Sequence, residues 1–237
     1  MLVHSATLGL MANTSAGSVT IQVSESCSVS DLLDRPTNAQ ACFVFAHGAG
    51  AGMHHASMSS VAGDLSQQGI ATLRYQFPYM ERGSRRPDPP ALCHATVRAA
   101  VAEAARAVPG LPLIAGGRSF GGRMTSQAQA LTPLPGVIGL AFLAFPLHPA
   151  GRPSQERAEH LSQVEIPMLF LQGTRDELAT LELLEPVVQR LGARARLKLL
   201  QDADHSFHVR ASSGRRDPDV RQELVLAFVD WLGGLHS

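Results

Sequence analysis

Five short apolar runs, each bounded by glycine or proline, punctuate the chain: Ala41 to Ala46, Ile70 to Tyr75, Leu111 to Ala115, Val137 to Leu143 and Pro167 to Leu171. Runs of this length without polar alternation read as strands buried on both faces, as in a parallel sheet with helices on either side. The segments between them carry the other period. Val97, Val101, Ala104 and Val108 fall on one stripe of a helix, away from Arg98, Glu103 and Arg106. Leu224, Phe228, Trp231 and Leu232 make a similar stripe in a last helix that ends at Gly233 and Gly234. Alternating strand and helix implies right-handed crossovers and an open α/β sheet. Val19 to Val23 (VTIQV) alternates apolar and polar residues and predicts an antiparallel edge strand ahead of the parallel set.

A chain of 237 residues, 45% hydrophobic and 17% charged, can bury one substantial core, so a single domain over 1–237 is expected. Twenty basic residues balance twenty acidic ones. That leaves no net field for nucleic acid or an anionic membrane, and the expected partner is a small molecule or a protein. Cys27, Cys42 and Cys93 are widely separated and form no C-x-x-C pair, which argues against a disulfide framework or a zinc ribbon and for free thiols in a reducing compartment. The first residues lack a basic start followed by a long apolar run and a small-residue cleavage site, and no later run reaches the length of a membrane span. A soluble, cytoplasmic protein is the expectation. Polar, proline-rich stretches at Glu81 to Pro90, Pro146 to Pro153 and Ala211 to Asp219 read as surface loops.

In an open α/β sheet ligands sit outside the carboxyl ends of the strands, so chemistry is expected just after each apolar run. After Leu111 to Ala115 comes Gly116-Gly117-Arg118-Ser119-Phe120-Gly121-Gly122, which contains G-x-S-x-G. A nucleophile on a tight strand-to-helix turn needs small neighbours two residues away on either side, because strand and helix approach closely there. The turn also sets the hydroxyl at a helix N-terminus, where N–H groups favour developing negative charge. Serine is a weak nucleophile until a base accepts its proton. His205, in DADHSFH after the strand Arg196 to Leu200, is a candidate base. A carboxylate must orient that base, and Asp176 follows Pro167 to Leu171 directly, in QGTRD. The strand Ala41 to Ala46 runs into His47-Gly48-Ala49-Gly50-Ala51-Gly52-Met53. Such a loop can bring a backbone N–H to a reacting carbonyl; Ala49, with Gly50 as the alternative, and Phe120 are the candidate oxyanion donors.

Together, HGAGAGM after an early strand, GGRSFGG at the turn, LQGTRDE before a helix and DADHSF near the end resemble the small, dienelactone-hydrolase-like branch of the α/β-hydrolases, over roughly residues 41 to 232. The resemblance implies an α/β-hydrolase fold with a mostly parallel sheet of eight or slightly fewer strands. It also implies hydrolysis of an ester or related acyl group without a cofactor. Dienelactone hydrolases proper carry cysteine at the turn where this chain has Ser119, so their lactone substrate is not carried over. Some relatives in the broad branch act as scaffolds, and a silent fold retained for protein interaction is the non-enzymatic alternative.

Each candidate has a plainer reading. Serine commonly fills a helix N-cap, as Ser119 could. His208 competes with His205, and Glu177, Asp202 and Asp204 compete with Asp176. His47, His54 and His55 lack a carboxylate or cysteine at metal-ligand spacing and read as loop residues. Arg118, Arg123 and Arg175 lie beside the proposed site, either as binders of an acidic substrate group or as structural ion pairs. An NADP-binding reading rests on Gly48-x-Gly50-x-Gly52 and on Arg74 for a 2′-phosphate, although Met53 stands where that fingerprint needs glycine. The stretch between Leu143 and Pro167 has room for a loop and a short helix, which leaves no large lid domain.

Overall fold

A computed structural model describes residues 20–235. One sheet contains β1 (Thr20–Ser24), β2 (Cys27–Asp34), β3 (Ala41–Ala46), β4 (Ile70–Tyr75), β5 (Leu113–Arg118), β6 (Val137–Leu143), β7 (Met168–Gly173) and β8 (Ala195–Leu200), in the order β1-β2-β4-β3-β5-β6-β7-β8. From β4 across to β8 every pair is parallel. An antiparallel ribbon of β1 and β2 is added at the β4 edge. The helices are α1 (Ala56–Gln67), α2 (Pro78–Glu81), α3 (Pro90–Ala107), α4 (Phe120–Leu131), α5 (Leu181–Leu191) and α6 (Asp217–Gly233).

All six residues of β3, of β4 and of β7 are buried, as a sheet covered on both sides requires. Side chains along β3 alternate between two cores. Phe43 and Phe45 pack under α1 and α6 with Met58, Leu65, Leu224 and Phe228. Cys42, Val44 and Ala46 face α3, α4 and α5 with Val97, Met124 and Leu184. The predicted stripes on α3 and α6 face these two cores, and each of their eight residues is buried.

Two expectations need correction. The strand expected at Leu111 to Ala115 is β5, Leu113–Arg118, which continues through two glycines. Glycine reads as a strand end, yet here it lets neighbouring strands close in: a Cβ on Gly116 would sit 1.9 Å from the Ala141 oxygen, and one on Gly117 2.5 Å from that of Ala46. The early edge strand, Thr20–Ser24, is joined by a second one, β2, that was not expected; Val19 lies outside the described residues. Asp31 is 1% exposed on β2, and a buried carboxylate there breaks the apolar alternation by which such strands are read.

Between β6 and β7 the chain forms one 3-10 segment, Glu156–Gln163, packed on α4, and no lid domain. No helix among the described residues is long and apolar enough to cross a membrane.

Candidate active site

Ser119 occupies the turn between β5 and α4 at φ 49° and ψ −116°, a strained backbone for a residue with a side chain. The turn is held from both sides: the Ser119 N–H donates to the Leu143 oxygen on β6 (2.9 Å), and the Ser119 oxygen accepts from the Arg123 N–H on α4 (3.1 Å). The close approach explains the flanking glycines. A Cβ on Gly121 would lie 2.5 Å from the His47 oxygen, and one on Gly117 3.0 Å from the Gly121 carbonyl carbon. Ser119 stands at the N-cap position of α4 but makes no capping bond with its side chain.

Instead its Oγ lies 2.8 Å from His205 Nε2, and His205 Nδ1 lies 2.8 Å from Asp176 Oδ2. The Asp176 side chain is 0% exposed and that of His205 is 25% exposed, so the carboxylate is sealed beneath the ring while the ring's far edge meets solvent. Two further donors hold the carboxylate: Gln172 Nε2 to Oδ2 (2.5 Å) and the Leu178 N–H to Oδ1 (2.8 Å). Gln172 is locked in turn, its Oε1 accepting from the Phe145 N–H at 2.9 Å. Sequence reasoning missed Gln172; the signal was its place at the end of β7, four residues before Asp176.

The competitors separate in space. His208 bonds Asp217 Oδ2 at 2.9 Å on the exposed surface, where that carboxylate raises its pKa. Asp204 Oδ1 accepts from the Ser206 and His208 N–H groups and shapes the loop that presents His205, while Asp202 takes a left-handed turn at φ 61°. Arg118 lies 5.8 Å from the Phe207 ring centroid and reaches the His205 oxygen at 3.5 Å, and burial lowers its pKa. Arg175 bonds the Asp202 oxygen at 3.4 Å.

The glycine-rich loop packs on Ser119: a Cβ on Gly48 would sit 3.7 Å from Ser119 Cβ. His47 is fully buried beneath it. The Phe77 N–H donates to its Nε2 (3.0 Å), which leaves the ring proton on Nδ1 to donate to the Gly48 oxygen (2.8 Å). Burial pushes the pKa of His47 down to about 4, so the ring is neutral. In a planar trans peptide C=O and N–H point opposite ways, so anchoring the Gly48 carbonyl also sets the direction of the Ala49 N–H. His55 caps α1, accepting from the Ser57 N–H at 3.3 Å. Among the described residues no group of three or more His, Cys, Asp and Glu side chains could hold a metal. Arg74 donates to Asp34 Oδ2 (2.8 Å), Ser59 Oγ (2.8 Å) and the Met53 oxygen (3.1 Å), commitments that leave it poorly placed to meet a 2′-phosphate.

Three solved structures share this architecture. Dienelactone hydrolase from Anabaena variabilis matches with a TM-score of 0.74 at 20% identity, covering 93% of this chain and 98% of that one. An alpha-beta serine hydrolase homologue from Coxiella burnetii gives 0.72 at 20% identity, over 92% and 99%. XC6422 from Xanthomonas campestris, described as an a/b serine hydrolase without lid, gives 0.71 at 22% identity, over 94% and 98%. At these identities the likeness speaks for the fold. The sequence itself matches the profile of the alpha/beta hydrolase domain family over residues 39–233, most of its length, and the chain belongs to that family.

Proposed function

We propose that this α/β-hydrolase is a serine hydrolase acting on a small ester or related acyl substrate through an acyl-serine intermediate, with Ser119 as nucleophile, His205 as base and Asp176 as the acid that orients it. The observation that carries the reading is the unbroken line of two 2.8 Å contacts from Ser119 through His205 to the buried Asp176. Ser119 Oγ attacks the carbonyl carbon as His205 Nε2 takes its proton, and Asp176 stabilises the imidazolium. The oxyanion meets the Ala49 and Phe120 N–H groups, the second at the first turn of α4, where the helix dipole favours negative charge. His205 then protonates the leaving alkoxide. Water, deprotonated by the same ring, attacks the acyl-serine and releases the acid.

The short crossover between β6 and β7 leaves the site without a large cover, which suits small or exposed acyl groups; an activated ester is the least demanding of these. Labelling with a fluorophosphonate tests the reading. Modification at Ser119 that is lost in Ser119→Ala and His205→Ala is expected, together with hydrolysis of short 4-nitrophenyl esters. A folded wild type that neither labels nor hydrolyses them would leave a scaffold in place of an enzyme.

A further inference from the structure

The crossover between β6 and β7 packs basic side chains against α4, where no carboxylate among the described residues pairs with them. Arg123 lies one turn beyond Ser119, its guanidinium 6.0 Å from the centroid of the Phe120 ring. Its Nε is buried and has no hydrogen-bond partner among the described residues. Arg157, on the 3-10 segment, is close enough for its charge to act on Arg123, and burial lowers the pKa of both. The same segment supplies His160, whose Nε2 meets Ser126 Oγ of α4 at 2.7 Å, and α3 supplies His94, whose Nε2 meets Gln127 Oε1 at 3.2 Å.

Among the described residues, the nearby acidic groups are engaged elsewhere or face solvent. Asp88 is taken by Arg82 and by the Tyr79 N–H. The Cys93 thiol is pushed up to about 12 by burial and by Asp88, so it stays neutral. Glu159 lines a separate cavity of about 370 Å³ with Arg190 and Arg194, and Glu156 is exposed. His160 is also neutral, held near 4 by burial and by the charges of Arg123 and His94. Both guanidinium groups are thus part-buried where α4 meets the 3-10 segment, and neither has an ion pair among the described residues. Burying such groups unpaired is costly, and an anion from outside would remove the cost.

We infer that Arg123 and Arg157 form a subsite for an oxyanion carried by the substrate, a carboxylate or a phosphate several bonds from the carbonyl that Ser119 attacks. The inference rests on the serine-hydrolase reading and adds the class of substrate to it. One helical turn separates the two positions, a rise of about 6 Å, so the anionic group belongs on a chain of several atoms rather than next to the ester.

The test compares two esters of equal length on the full chain, 4-nitrophenyl valerate and the mono-4-nitrophenyl ester of glutaric acid. Wild type is expected to prefer the acidic ester in kcat/KM. Arg123→Gln and Arg157→Gln are each expected to cut that preference by about tenfold to a hundredfold, mainly through KM, as loss of a charged hydrogen bond does. Arg196→Gln, at a remote exposed pair with Asp230, is expected to leave the preference unchanged. A preference that survives both arginine variants overturns the subsite while leaving the serine-hydrolase reading intact. Should wild type hydrolyse neither ester, the functional reading fails and thermal melting decides the subsite. A midpoint raised by millimolar glutarate or inorganic phosphate in wild type, and not in either variant, supports it and tells which oxyanion fits; no shift with either anion overturns it. Arg157→Gln, on the crossover surface, keeps the test open should Arg123→Gln fold poorly.

Discussion

His47 works through its backbone contacts rather than through charge, and its neutrality has a measurable consequence. Its folded pKa of about 4 lies below the value of about 6.5 expected in the unfolded chain, so between these limits the unfolded state binds more protons. Stability is therefore full above pH 6.5 and is lost as pH falls toward 4, by about 3 kcal/mol for this residue. Glutamine can reproduce both hydrogen bonds without titrating. His47→Gln is expected to flatten the fall in melting midpoint between pH 6.5 and 4 relative to wild type; curves of the same slope would remove His47 as the cause. Asp176→Asn tests a different single atom. An asparagine amide at that position can donate to Nδ1 and so leave the proton of His205 on Nε2, where it blocks the transfer from Ser119. Turnover of a 4-nitrophenyl ester is expected to fall about a thousandfold to ten-thousandfold with KM little changed, and a loss under tenfold would argue that Asp176 does not orient the base.

The elements that carry these residues explain why they stand where they do. The β5–α4 turn holds Ser119 at positive φ, and that cost belongs to the Cβ, not to the hydroxyl. Ser119→Ala keeps the strain and Ser119→Gly releases it, so both are expected to be inactive while the glycine variant is the more stable by about 1 kcal/mol or more in urea unfolding. Equal stabilities would mean that the turn stores no strain. The turn is also where sequence and structure agree most closely, because G-x-S-x-G states a steric need that Gly117 and Gly121 meet against Ala46 and His47. The ends of β5 were harder to read. Gly116 and Gly117 serve close strand packing, and composition alone does not distinguish that from a turn. Asp31 hid β2 in a similar way, since a polar residue buried on a strand looks like a residue on its solvent face.

At the scale of the whole molecule the sheet must end somewhere, and β8 is one of its open edges. Arg196 and Lys198 stand on this edge and pair with Asp230 and Glu223 of α6. Exposed pairs of this kind contribute little to folding, about 0–1 kcal/mol, whereas charge on an edge strand opposes pairing with a second sheet. The double replacement Arg196→Val with Lys198→Val is expected to change the melting midpoint little and to promote association that grows with concentration in light scattering. A monodisperse variant would assign edge protection to another feature.

Local patterning determined much of this protein: buried apolar runs, helical stripes and the residues after each strand foretold the α/β architecture and nominated Ser119, Asp176 and His205. What the sequence left open were choices between neighbours, His205 against His208 and Asp176 against Asp202 or Asp204, because residues a few positions apart on one loop look equivalent along the chain. Tertiary structure turns His208 toward Asp217 and ties Asp204 into its own loop, which supports the proposed choice of His205 and Asp176. Gln172 beneath Asp176, His47 beneath the glycine loop and the Nε of Arg123, buried without a partner among the described residues, emerged only there. Hydrogen bonds and missing counter-ions depend on which segments meet across the sheet, and long-range packing sets those meetings.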